Sequence, residues 1–247
     1  MMLSFYRFIN ESKEDFDIAE RLADSLLDGL RSKSISKNYE IVSKIESSDG
    51  LHFDLIFKAR LDPEFKAASD PHFESLPWEE MNFSRIGFAS DANMKIDKQD
   101  LIIPQIEVIM VLDPRVLESP NDMRAKLIDM IAHEMTHLKQ IGWNRRPFHT
   151  RPSSNSDRHA AKRGWQYFLL PEEIEAMVAG MYARSIEKGI ELDRVFSEYL
   201  TPFLQSKRMN LQQYDTIMSA WIRHALENYP NSKFSKSKKI SNIIDQI

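Results

Sequence analysis

The segment AHEMTHLKQ, residues 132–140, constrains the fold most, because it lies in a stretch whose apolar residues recur at the spacing of one helix face: Leu127, Ile128, Ile131, Met135 and Leu138. Ser119 or Asn121 can cap this helix, and Gly142 is a natural stop. His133 and His137 are four residues apart, so both imidazoles lie on the same side of that helix and can reach one ion. Glu134 follows the first histidine, in a position to hold a water molecule rather than the ion. The segment therefore predicts a helix that carries a zinc site.

The rest of this site must come from a limited choice of side chains. The 247-residue chain has no cysteine, so zinc ligands must be His, Asp or Glu. A catalytic zinc ion takes three protein ligands and keeps one position open. Two histidines of the following polar segment and three glutamates of the next predicted helix could supply the third ligand: His149, His159, Glu172, Glu173 and Glu175. The helix favours a glutamate, because Glu173, Ala176 and Gly180 lie along one side and the small residues allow close approach.

The order of predicted elements indicates an α+β fold in which strands precede helices. We predict a helix over 12–33, a hairpin of strands 39–45 and 51–59, strands 83–89 and 104–113, and helices 171–189, 191–206 and 211–228 after the histidine-bearing one. The N-terminal sheet, mixed or antiparallel, is expected to pack on the histidine-bearing helix. The C-terminal half is expected to be helical.

These elements predict a single domain over residues 12–230, with a sheet part at 12–114 and a helical part at 115–230. The remaining tail, 231–247, carries four lysines and is expected to be solvated and partly without fixed structure. The formal net charge of −4 does not predict nucleic-acid binding. The longest apolar run, 101–112, is interrupted by polar residues, so no membrane span is expected. The N-terminus does not have the pattern of a secretory signal.

The sequences HEMTH and EIEA together resemble the gluzincin metallopeptidases. In several of these families the third zinc ligand is the first Glu of an E-x-x-A segment on the next helix. The resemblance implies a zincin-like fold with His133, His137 and Glu173 as ligands. It also implies that Glu134 is the general base for a zinc-bound water that hydrolyses peptide bonds. Met177 departs from the pattern, because these families often have Asp or Asn there to orient a ligand histidine.

Two further parts of the predicted catalytic site are the residue that stabilises the oxyanion and the strand that binds the substrate. Tyr167, Arg158 and His159 are candidates for stabilising the oxyanion, although a tyrosine in WQYFLL is also typical of simple packing. The strand QIEVIMV is expected to form a sheet edge to which an extended peptide or protein substrate adds.

A second hypothesis from another class is a structural, non-catalytic zinc site that only holds two helices together. Structural sites have four protein ligands, so His149 or His159 would then be the fourth.

The N-terminal stretch MLSFYRFINE, from Met2, resembles the leader M-x-x-[FY]-x-x-F-[IL]-x-E of internal head proteins of large tailed bacteriophages. The prohead protease cuts that leader after its Glu, which corresponds to Glu11. The resemblance implies a phage protein located in the virion head or the host cytoplasm, with residues 1–11 as a removable leader and the prohead protease as a partner. The alternative is an opening turn that packs Phe5, Phe8 and Ile9 on the core.

Overall fold

A computed structural model describes residues 16–29, 38–46, 52–61, 86–96, 102–112, 120–140 and 164–245. These residues fall into two compact units, one up to residue 140 and one from residue 164 onward. The secondary structure is mixed α+β, with all the described strands in the first unit, as the sequence predicts. Two predicted features lie outside the described residues: the leader, and the polar segment that holds His149, Arg158 and His159.

The first unit contains a four-stranded mixed sheet. Its strands are β1 (Asn38–Glu46), β2 (His52–Leu61), β3 (Ile86–Ile96) and β4 (Ile102–Leu112). They are ordered β1-β2-β4-β3. β1 pairs antiparallel with β2, β2 pairs parallel with β4, and β3 pairs antiparallel with β4. The predicted hairpin of the first two strands is therefore confirmed.

The prediction that the QIEVIMV strand forms the sheet edge is wrong. It is the centre of β4, which is hydrogen-bonded to β2 on one side and to β3 on the other. Its continuous apolar character agrees with an interior strand, and Ile106, Val108 and Met110 are fully buried. The edge beside β4 is β3, which extends to Ile96 rather than ending at 89. Its polar residues suit an edge position better than an interior one.

Two helices complete the first unit: α1 over residues 16–29 and α2 over Pro120–Gln140. α2 packs against β3 and β4. Its predicted apolar face is confirmed, since five of its residues have no exposed surface: Leu127, Ile128, Ile131, Met135 and Leu138. Near its start, the guanidinium of Arg124 donates to both carboxylate oxygens of Asp24 in α1, at 2.7 and 3.1 Å.

The second unit is helical. A 3₁₀ helix (Trp165–Leu169) is followed by α3 (Pro171–Lys188), α4 (Leu192–Gln205), α5 (Leu211–Asn228) and α6 (Lys238–Asp245). Trp221 lies at its centre: the indole N–H donates to the carbonyl oxygen of Phe168 at 3.0 Å, and the ring contacts Phe168 and Phe196 edge-on. None of the described helices is both long enough and apolar enough to cross a membrane.

Helix α6 was not predicted: part of the tail that was expected to be solvated and partly without fixed structure is helical. Most of the described residues of the tail are exposed, which agrees with a solvated end. Asp193 accepts hydrogen bonds from the backbone N–H of Ser235, at 2.7 Å, and from its hydroxyl, and the N–H of Leu192 donates to Lys233 at 2.8 Å. Ile240 of α6 is buried. The lysines of the tail therefore lie on a segment that is fixed to the start of α4.

Gly189 ends α3 and generates a stability prediction. Its φ of +64° is in the left-handed region, and an added Cβ would meet nothing within 4 Å. Gly189→Ala should therefore lower the free energy of unfolding through backbone strain alone, by about 1 kcal/mol. Gly189→Asn should lower it less, because Asn tolerates this conformation better. Urea denaturation measures both, and an alanine variant as stable as the wild type would contradict this account of the helix end.

Candidate metal centre

Helix α2 brings its two histidines together. The imidazole rings are 4.7 Å apart at an angle of 80°, and the Nε2 atoms of His133 and His137 are 3.0 Å apart. Two ligand atoms at about 2.0–2.1 Å from a tetrahedral ion would be roughly 3.4 Å apart. The observed separation is therefore close to what a shared ion requires.

The carboxylate of Glu173 completes a group of three. Glu173 lies in the first turn of α3, which begins with Pro171, and the residue is 8% exposed. One nitrogen from each of His133 and His137 and one oxygen of Glu173 lie within 4.8 Å of one another. The structure therefore brings the three predicted ligands into one His-His-Glu group that could hold a metal ion.

The donor atoms of this group match the preferences of zinc. Zinc binds imidazole nitrogen and carboxylate oxygen, and its catalytic sites take three protein ligands, including the combination of two His and one Glu. Glu172 and Glu175 do not belong to this group, although Glu172 is buried. Of the three glutamates considered from the sequence, Glu173 is the one that the geometry selects.

Glu134 lies beside the group without belonging to it. Its side chain is buried, at 5% exposed, and its Oε1 is 4.0 Å from Nε2 of His133. This arrangement agrees with the predicted position, next to the ligand atoms but not among them.

The small-residue stripe of α3 is buried as the sequence predicts. Ala176 has no exposed surface and Gly180 is buried. Met177 and Met181 are also buried, so the interpretation of both methionines as core residues is confirmed. Met177 therefore contributes a core side chain at the position where gluzincins often have Asp or Asn.

Tyr167 lies in the 3₁₀ helix just before α3. It is half-buried, and its ring packs edge-on against Phe168 at 5.7 Å. Its backbone closes the turn, with its N–H donating to Gly164 and its carbonyl accepting from Leu170. These contacts agree with the packing interpretation, and a role in stabilising an oxyanion stays a prediction.

Gln140 is a functional candidate that the sequence argument did not identify. Its Oε1 lies 2.7 Å from Nδ1 of His137, one helical turn earlier. The sequence could have indicated this contact, because His137 and Gln140 are three residues apart and residues at that spacing on a helix are neighbours.

Comparisons of the chain with models of known protein families, with curated proteins and with solved structures found no match.

The group predicts metal binding that depends on Glu173. The protein should bind about one zinc ion per chain, and Glu173→Ala should weaken binding by more than the roughly 10- to 100-fold typical of losing a supporting partner. Glu175→Ala is the matched control on the same helix and should bind zinc like the wild type. Competition with a chromophoric chelator measures the affinities. The third-ligand assignment is wrong if Glu173→Ala retains wild-type affinity.

Proposed function

We propose that this protein is a zinc-dependent metallopeptidase with a zincin-like fold and a gluzincin-type centre. The observation that carries the proposal is the approach of Glu173, from α3, to the two histidines of the HEMTH helix. Such a helix occurs by chance in unrelated proteins. A chance motif would not be expected to meet a carboxylate from the matching position of the next helix.

Three protein ligands is the number that a catalytic zinc site takes, and His149 and His159, the candidates for a fourth ligand of a structural site, lie outside the described residues. Within the described part of the chain, the group offers three ligand atoms, which leaves one position of a tetrahedral ion for a water or a substrate. When bound there, zinc lowers the pKa of a coordinated water to about 7 and polarises a carbonyl group.

Glu134 is proposed as the general base. A water molecule that spans two polar groups needs a hydrogen bond of about 2.6–3.2 Å to each. With its Oε1 at 4.0 Å from a ligand nitrogen, the Glu134 carboxylate is close enough to hold a water beside the ligand atoms. It would take one proton from the attacking water and deliver it to the leaving amine. The burial of Glu134 shields this proton transfer from bulk solvent and strengthens the electrostatic interactions of its carboxylate.

The substrate is proposed to be an extended peptide that adds to the edge of β3. β3 is the last strand of the described sheet on the β4 side, and α2 packs against both β3 and β4. Strand addition uses backbone hydrogen bonds, so it tolerates many substrate sequences.

The general-base proposal predicts that Glu134→Gln retains zinc and loses peptidase activity, by on the order of 10²- to 10⁴-fold. The glutamine keeps the shape of the side chain but cannot accept the proton. Activity is measured on an unbiased peptide library read by mass spectrometry, and zinc content is measured on the same samples. Glu175→Gln removes a carboxylate outside the group and should preserve both quantities.

Two results would contradict this assignment. Loss of zinc in Glu134→Gln would make Glu134 a ligand, and unchanged cleavage would remove it from the reaction. The structural-site hypothesis makes the opposite prediction for the wild type: tight zinc without cleavage of any library peptide, and loss of zinc in His149→Ala or His159→Ala.

A further inference from the structure

Gln140, the last residue of α2, contacts a ligand histidine through its side chain. Its amide oxygen and Nδ1 of His137 are 2.7 Å apart, a short and well-formed hydrogen-bond distance. Gln140 is only 7% exposed, so water competes little for this contact. Both residues belong to one helix, and their relative positions are set by its backbone.

The contact has a chemical consequence for His137. A neutral imidazole carries a hydrogen on one nitrogen and a lone pair on the other. An amide oxygen can only accept, so the hydrogen bond to Gln140 requires the hydrogen on Nδ1. The lone pair then lies on Nε2, which is the atom 3.0 Å from Nε2 of His133.

We propose that Gln140 is a positioning residue that holds His137 in its Nδ1–H tautomer and fixes the orientation of its ring. This inference deepens the proposed function and rests on its metal centre. Ligand histidines generally donate their second N–H to an acceptor, which fixes the tautomer and raises the affinity for the metal. Gln140 belongs to α2, so the helix that carries His137 also supplies the acceptor for its second N–H.

The choice of an amide over a carboxylate also has a physical reason. Glu134 and Glu173 are already buried carboxylates next to the histidines. A third negative charge there would add desolvation cost and repulsion, whereas a neutral amide accepts the same hydrogen bond without a charge.

The test measures the tautomer and the zinc affinity, neither of which needs a substrate. In the metal-free wild type, ¹⁵N-detected long-range correlations of the imidazoles should show His137 protonated on Nδ1. Gln140→Ala should lose this single tautomer and bind zinc about 10- to 100-fold more weakly. Gln140→Glu keeps an acceptor and should restore the Nδ1–H tautomer.

Thr136→Val is the matched control on the same helix. It removes the hydrogen bond from the Thr136 hydroxyl to the carbonyl of Ala132, at 2.9 Å, and leaves the His137–Gln140 pair in place. Both readouts should stay at their wild-type values, which separates the role of Gln140 from general loosening of α2.

The inference is overturned if the metal-free wild type shows His137 protonated on Nε2, because the amide NH₂ of Gln140 would then face Nδ1. It is also overturned if Gln140→Ala retains the wild-type tautomer and zinc affinity. A wild-type protein that binds zinc but cleaves no peptide would contradict the peptidase proposal alone. The His137 tautomer and the zinc affinity of the Gln140 variants would still decide the role of Gln140.

Discussion

The burial of the apolar face of α2 is the interaction on which the candidate site depends. Residues such as Ile128, Ile131 and Met135 have no exposed surface, and each contributes about 1.5–3 kcal/mol through burial. This burial fixes the rotation of α2 about its axis, and the Arg124–Asp24 ion pair secures its first turns against α1. The positions of both histidines are therefore set by the packing of the one helix that carries them.

Buried carboxylates give the centre its electrostatic character. Glu134 and Glu173 both have almost no exposed surface, and a buried ionised carboxylate is costly unless cations or hydrogen-bond donors compensate for its lost hydration. A divalent cation held by His133, His137 and Glu173 would supply part of that compensation. The position of Glu173 in the first turn of α3 also helps, because the N-terminal end of a helix favours negative charge.

Much of this arrangement could be predicted from local sequence patterns. The apolar periodicity of α2, the start of α3 at Pro171 and its end at Gly189 are consequences of side-chain pattern and backbone chemistry within a few residues. The three members of the metal-binding group were also predicted, since the two histidines share a helix face and the resemblance to gluzincins pointed to Glu173.

The features that were not predicted correctly from the sequence depend on contacts that local patterns do not specify. The interior position of β4 depends on which strands pair across long stretches of chain. Helix α6 is short, and its place is set by hydrogen bonds between Asp193 and Ser235, 42 residues apart. The role of Gln140 depends on a side-chain conformation, which sequence spacing permits but does not determine.

X-ray absorption at the zinc edge of the protein loaded with one equivalent of zinc tests the central claim most directly. The account predicts four nitrogen or oxygen neighbours at about 2.0–2.1 Å, with the multiple scattering of two imidazoles. Glu173→Ala should then lower the zinc occupancy while the signal of two imidazoles persists in the ion that remains bound. A spectrum with three or four imidazoles, or a protein that binds no zinc, would contradict the His-His-Glu centre.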